Sequence, residues 1–200
     1  MKSPDVFWSW FAAHRHRFEN LEVPNKDALL EEFLAVLHKV SEGLWFQIGM
    51  DPDGTHELVI TAEGNEEFFA DVEDLVAAAP AIEGWRVTAF KQAQGFGFSV
   101  GYNGVSVDPK QAWFLPLGSE SRPEDLGLLI AVPGYDQEWA EEYLFACYIL
   151  LDEGLGELRA AQDIQHVEVG PMPAAPQDEG YIELEELAPY LDWRASKRAQ

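Results

Sequence analysis

One cysteine, thirteen basic side chains and no long apolar run are the scarcities that bound this 200-residue chain. The lone thiol, Cys147, excludes an internal disulfide framework and any multi-thiolate metal site. Thirteen Lys and Arg against thirty-six Asp and Glu leave a net charge of −23 and a pI near 4.3. A field of that sign repels phosphate backbones and anionic headgroups, which argues against nucleic-acid binding and against adhesion to an anionic membrane. The longest unbroken apolar stretch, Tyr143–Leu151, is nine residues, whereas a membrane helix needs about twenty. A signal-peptide pattern is also missing, because Ser9 interrupts the first apolar segment and His14, Arg15, His16 and Arg17 follow at once. Cytoplasm is the expected location.

Catalytic signatures are equally sparse. No His-Glu-x-x-His pattern occurs, and the glycines of Gly95–Gly101 show strand-like alternation with no following Walker lysine. His14 and His16 project about 200° apart on a helix, which rules out a shared metal. Asp51-Pro52-Asp53-Gly54 resembles the start of a calcium loop, but the later carboxylates are missing at the required offsets. A turn whose Asp side chains satisfy their own backbone is the better reading. Cys147, set between Ala146 and Tyr148 with no Lys or Arg nearby, reads as a buried inert thiol. No metal site and no cofactor are expected.

What the chain does have is aromatic bulk: seven Trp, six Tyr and twelve Phe within 47% apolar residues, enough for a packed core. The acidity is uneven. Residues 1–40 are nearly neutral, at −1, while 41–119 carry −9 and 120–200 carry −13. Helical spacing appears over residues 5–19 (Phe7, Trp8, Phe11), 27–40 (Leu29, Leu30, Phe33, Leu37), 66–78 (Phe69, Val72, Leu75, behind an Asn65 cap) and 136–152. The last is apolar nearly all round at its centre, which predicts a central helix covered on more than one side. Gly154 and Gly156 are expected to end it. Strand patterns occupy residues 44–50, 57–62, 85–90, 96–100, 105–107, 111–117, 126–132 and 164–169. Residues 51–55 are the clearest hairpin turn, and 102–105 a second.

This order predicts an α+β fold, with an antiparallel or mixed sheet of six to seven strands and helices mainly on one face. A single domain over residues 1–170, N-terminal helices included, would be followed by a Pro-containing extension, 171–200, packed on it. Residues 182–191 could form a short helix, and the final eight residues are expected to fray. No internal repeat is evident.

Residues 60–90, ITAEGNEEFFADVEDLVAAAPAIEGWRVTAF, resemble a group of uncharacterised bacterial proteins. The shared features are an Ile-Ser/Thr-Ala-Glu-Gly strand end, an acidic helix, an Ala-Ala-Pro stop and a Gly-Trp-x-Val strand. FWSWF (7–11) and LDEGLGE (151–157) extend the likeness over most of residues 5–170. The resemblance implies a shared cytosolic domain and brings no activity with it. It singles out Glu63, Trp85, Asp152 and Glu157.

Two functional classes follow. The first is a non-catalytic protein-interaction module that presents acidic surface to a basic protein partner, in one form an inhibitor or immunity protein blocking a basic nuclease or toxin. It predicts exposed carboxylates clustered around aromatic anchors, with Trp10 and Trp193 as interface candidates near the chain ends. The alternative is a small-ligand-binding protein or hydrolase using clustered carboxylates, with or without a divalent cation. Its catalytic candidates are Glu63, Asp152 and Glu157; Asp152, at a helix C-terminus, would need a partner such as Arg159. A third reading leaves the acidity to solubility alone. The oligomeric state stays open at this level.

Overall fold

The computed structural model describes residues 4–198. By the density of its internal contacts the chain divides into two compact units, Met1–Lys91 and Gln92–Gln200.

The first unit begins with α1 (Pro4–His14), closed by one 3-10 turn, and α2 (Lys26–Leu37). The aromatic stripe of α1 does what its spacing predicts: Phe7, Trp8 and Phe11 are buried, and the Trp8 indole donates to the Leu75 carbonyl at 2.8 Å. Arg17 grips Glu32 with two parallel bonds of 2.9 and 2.7 Å. That contact holds the Glu32 carboxyl below the usual carboxylate range. Its small contribution to stability is therefore present at neutral pH and lost as pH falls through the lowered value. Strands β1 (Trp45–Met50) and β2 (His56–Thr61) form the expected hairpin, in which the Asp53 carboxylate accepts the Thr55 N–H at 2.9 Å. Helix α3 (Phe69–Ala77) then leads to β3 (Trp85–Ala89), which pairs parallel to β2. The sheet order is β1-β2-β3.

The second unit opens with irregular chain up to the short hairpin β4 (Val100–Tyr102) and β5 (Val105–Val107). Asn103 and Gly104 form its turn, with φ of 45° and 96°, the left-handed pair that a tight hairpin requires. Strands β6 (Trp113–Leu117) and β7 (Gly127–Val132) are antiparallel. Helices α4 (Ala140–Leu155) and α5 (Glu157–Asp163) lead to β8 (His166–Pro171), parallel to β7. The chain closes with β9 (Ile182–Glu183), paired antiparallel to β6, and α6 (Leu187–Arg198). The four-stranded order is β8-β7-β6-β9.

This corrects the expected single sheet of six to seven strands. The described strands form three separate sheets, of three, two and four strands. Alternation of apolar residues identifies a strand but not the edge it pairs with. Here the chain leaves the first sheet at Phe90, whose φ of 62° no extended strand can hold. It then runs irregularly to residue 99, so the Phe96–Val100 alternation yields only the three-residue β4. The C-terminal residues differ too: α6 continues through Arg198, and Arg194 donates to the carbonyls of Glu124 and Asp125 at 3.0 and 2.9 Å. Leu184, Leu187 and Leu191 are buried in the second unit's core. The last two residues of the chain lie outside the described ones.

The two units share a motif that the bare sequence hides. Each has a hairpin, a helical crossover and a third strand parallel to the second. The register matches: Trp45-Phe46 faces Thr61 and Ile60, and Trp113-Phe114 faces Ala131 and Ile130. Gly64 and Gly134 then turn with φ of 77° and 71°. Asn65 and Asp136 each accept an N–H two residues on, from Glu67 and Glu138, and each starts a 3-10 turn that runs into the helix. Few identities survive across the pair, which is why reading along the chain shows no repeat. Asn65→Ala and Asp136→Ala are each expected to cost about 1 kcal/mol through the lost cap, read as a lowered urea midpoint with unchanged m-value.

Candidate functional site

Helix α4 carries the most distinctive surface. Its inner side, including Tyr143, Ala146, Cys147, Leu150 and Leu151, is buried against β4, β5 and β8. Burial with no opposing charge pushes the Cys147 thiol up to about 12, as expected of an inert thiol. The helix is covered by strands of two sheets, yet its outer side stays open. Phe145 is 53% exposed, Tyr148 47% and Ile149 40%. At i, i+3 and i+4 these three form one stripe, and the Tyr102 ring supports Phe145 at 5.6 Å.

Carboxylates share that face. Glu141 and Glu142 lie one turn before Phe145, and Asp152 lies one turn beyond Tyr148 and Ile149. Glu138 and the 47%-exposed Trp139 precede the helix. No Lys, Arg or His occurs between residues 123 and 158, while nine Asp and Glu do. The result is an acidic helix face studded with aromatic and aliphatic side chains.

The sequence-derived candidates are distributed over both units, and of them Asp152 lies on α4. Glu63 belongs to the first unit, at the C-terminal end of β2, in a left-handed conformation with φ 50°. Its carboxylate accepts from the Lys91 ammonium at 2.8 Å, with Lys91 only 8% exposed. Sequence reasoning passed over Lys91, although a lysine directly after the Trp85–Phe90 strand in so acidic a chain was a usable signal. Asp152 and Glu157 belong to the second unit. Asp152 is half-buried in the last turn of α4, and Glu157 is fully buried as the first residue of α5. Arg159, the partner suggested for Asp152, bonds instead to Asp163 at 3.2 Å and Asp192 at 2.6 Å.

Of the interface candidates, Trp10 is half-buried, stacked on His14 at 5.1 Å and edge-on to Phe33 at 5.8 Å. Trp193 is 55% exposed on α6, next to Tyr190. The helix-face aromatics Phe145 and Tyr148 were missed because the apolar run around them reads as core.

Among the described residues, no group of three or more His, Cys, Asp or Glu side chains is placed to hold a metal ion. No described helix is long and apolar enough to cross a membrane. An open cavity of about 200 Å³ lies in the second unit, lined in part by Ser119, Arg122, Asp125, Gln165 and His166. It is smaller than usual ligand sites of roughly 300–1,000 Å³ and contains none of Glu63, Asp152 and Glu157. Its arginine is held by Asp125 at 2.8 Å.

No protein-family model matches the chain, and no curated protein matches it.

Proposed function

We propose that the protein is a non-catalytic docking module that receives a basic protein on the outer face of α4. The observation that supports this reading is the mixture on that face: Phe145, Tyr148 and Ile149 are exposed, with Glu141 and Glu142 one turn before them and the half-buried Asp152 one turn beyond. Apolar surface left in water is an affinity reserve, and for side chains already about half-buried the remainder is worth roughly 0.7–1.5 kcal/mol each. Aromatic anchors at the centre of a patch with a polar rim are the usual anatomy of an interface. The carboxylates steer a cationic partner toward the anchors and repel acidic competitors, a second copy of this chain among them. A cytosolic setting goes with the proposal, since it needs no disulfide and keeps the single thiol reduced.

The test uses the purified chain to capture partners from its native cells, followed by titration of the identified partner. Phe145→Ala and Tyr148→Ala are each expected to weaken binding about tenfold, or ~1.4 kcal/mol. Both side chains are half-exposed, so both variants should fold. Association should slow as salt rises, because exposed charges are screened beyond roughly 8 Å at physiological ionic strength. Unchanged affinity in both variants, or a partner of acidic pI, would overturn the proposal.

A further inference from the structure

The matched units differ at one edge. In the second, the outer side of β6 is covered: β9 pairs with it antiparallel, Trp113 opposite Glu183 and Phe114 opposite Ile182. The Leu184 N–H extends the contact to the Ala112 carbonyl at 3.0 Å. Pro116 further blunts that strand, since proline has no N–H to give to a ladder. In the first unit the corresponding strand is β1. Trp45 and Phe46 occupy the register positions of Trp113 and Phe114, and Ile48, opposite Leu58, occupies that of Pro116, opposite Leu128. Among the described residues β1 pairs with β2 alone and is the last strand of its sheet.

Proteins ordinarily protect such an edge with lysine, proline, a bulge or a covering segment. Strand β1, Trp45-Phe46-Gln47-Ile48-Gly49-Met50, contains no charge and no proline, and all six of its residues pair with β2 in unbroken register. Trp45 is 43% exposed and Met50 67%. We infer that the outer edge of β1 is a docking site for an extended, basic segment of a partner protein, which adds as a further strand where β9 lies in the other unit. The backbone ladder supplies affinity in this mode of recognition, and alternate side chains supply selectivity.

The sign of the occupant follows from what surrounds the edge. Residues 39–62 hold four carboxylates and, of Lys and Arg, only Lys39. Arg86 engages two of them, Asp51 and Glu57, while Glu42 and Asp53 stand exposed beyond the two ends of the strand. A second copy laid on this edge would bring two chains of charge −23 together, whereas a Lys- or Arg-bearing strand reduces the repulsion. The assignment rests on the docking-module reading for the partner's charge, and its location is independent of α4.

The probe is a capped peptide alternating lysine with valine, titrated into the full chain while amide exchange is followed. Binding should slow exchange of the outward amides, those of Phe46, Ile48 and Met50, by at least about tenfold. It should weaken by a similar factor when the peptide backbone is N-methylated at alternate residues, which leaves the protein untouched. Ile48→Pro, which copies the residue of the second unit, should weaken it likewise. Failure of the peptide to bind, or equal binding by its N-methylated form, overturns the inference. Equal binding by a threonine–valine peptide overturns the basic class of occupant. A dimer of the free protein that Ile48→Pro dissociates overturns it in favour of a second copy. A natural partner sensitive to Phe145→Ala and indifferent to Ile48→Pro overturns the edge assignment and leaves the α4 reading standing; the opposite pattern overturns the α4 reading alone.

Discussion

Phe33→Ala should destabilise the first unit by about 4 kcal/mol, the middle of the range for emptying a buried aromatic site. Phe33 is fully buried on α2. Its ring stacks on Phe46 at 4.0 Å and meets Phe7, Phe11 and Phe18 edge-on at 5.6, 5.8 and 5.3 Å. These neighbours come from α1, from the turn after it and from β1. Deleting the ring thus removes the surface that joins three segments, and large aromatic neighbours held on separate elements are poorly able to collapse into the space. Phe33→Leu, which keeps most of the volume, should cost less than half as much. The check is chemical denaturation with hydrogen exchange read over residues 4–91. A loss below about 1 kcal/mol would show that the cluster refills the cavity and that the estimate for an unrelaxed site does not apply.

Gly154→Val is the largest effect expected in the second unit, at about 3 kcal/mol. A Cβ at this position would lie 2.5 Å from the Phe96 ring, which is itself 7% exposed and walled in by the core. The backbone has little freedom to retreat, because the Gln94 and Gly95 N–H groups bond to the carbonyls of Glu153 and Gly154 at 2.8 and 3.1 Å. Gly154→Ala sets two effects against each other. Alanine gains roughly 1 kcal/mol of helix propensity, and the clash of the added methyl costs roughly 1–3 kcal/mol. Net destabilisation is expected for Ala and a larger one for Val, measured by urea titration. A stabilised Gly154→Ala variant would mean that Phe96 has another rotamer open to it.

These two sites also show where local sequence was informative. The stripe Phe7, Trp8 and Phe11, the turn at Asp51–Thr55 and the cap at Asn65 each depend on side chains within a few residues, and each formed as its spacing predicts. Gly154 was assigned to the end of the last long helix; it lies within the final turn, and Gly156, with φ 84°, makes the stop. Spacing cannot separate a glycine kept for close packing from one kept for its left-handed backbone. Only the position of Phe96 does so.

The division into three sheets was beyond sequence reading for a similar reason. An apolar alternation is the same whether a strand is central or at an edge, and the pairing partner is chosen by contacts many residues away. The shared hairpin-and-crossover motif became visible only once Phe46 was found opposite Ile60 and Phe114 opposite Ile130. Of the candidate surface, its acidity could be read directly, since no base occurs between residues 123 and 158. Its aromatic anchors could not, because Phe145, Tyr148 and Ile149 sit in the same unbroken apolar run as the buried Ala146, Cys147 and Leu150.

By itself, then, the sequence determined the sign and unevenness of the charge, the identity of most helices and strands, and the absence of disulfides. These are consequences of composition and of interactions within one or two helical turns. Which apolar residues face water, which strand edge is covered and which carboxylates surround an anchor were decided by tertiary packing. The cause is geometric: α4 packs on strands of two sheets and still leaves Phe145, Tyr148 and Ile149 outside those contacts, and β9 pairs with only one of the two matching edges.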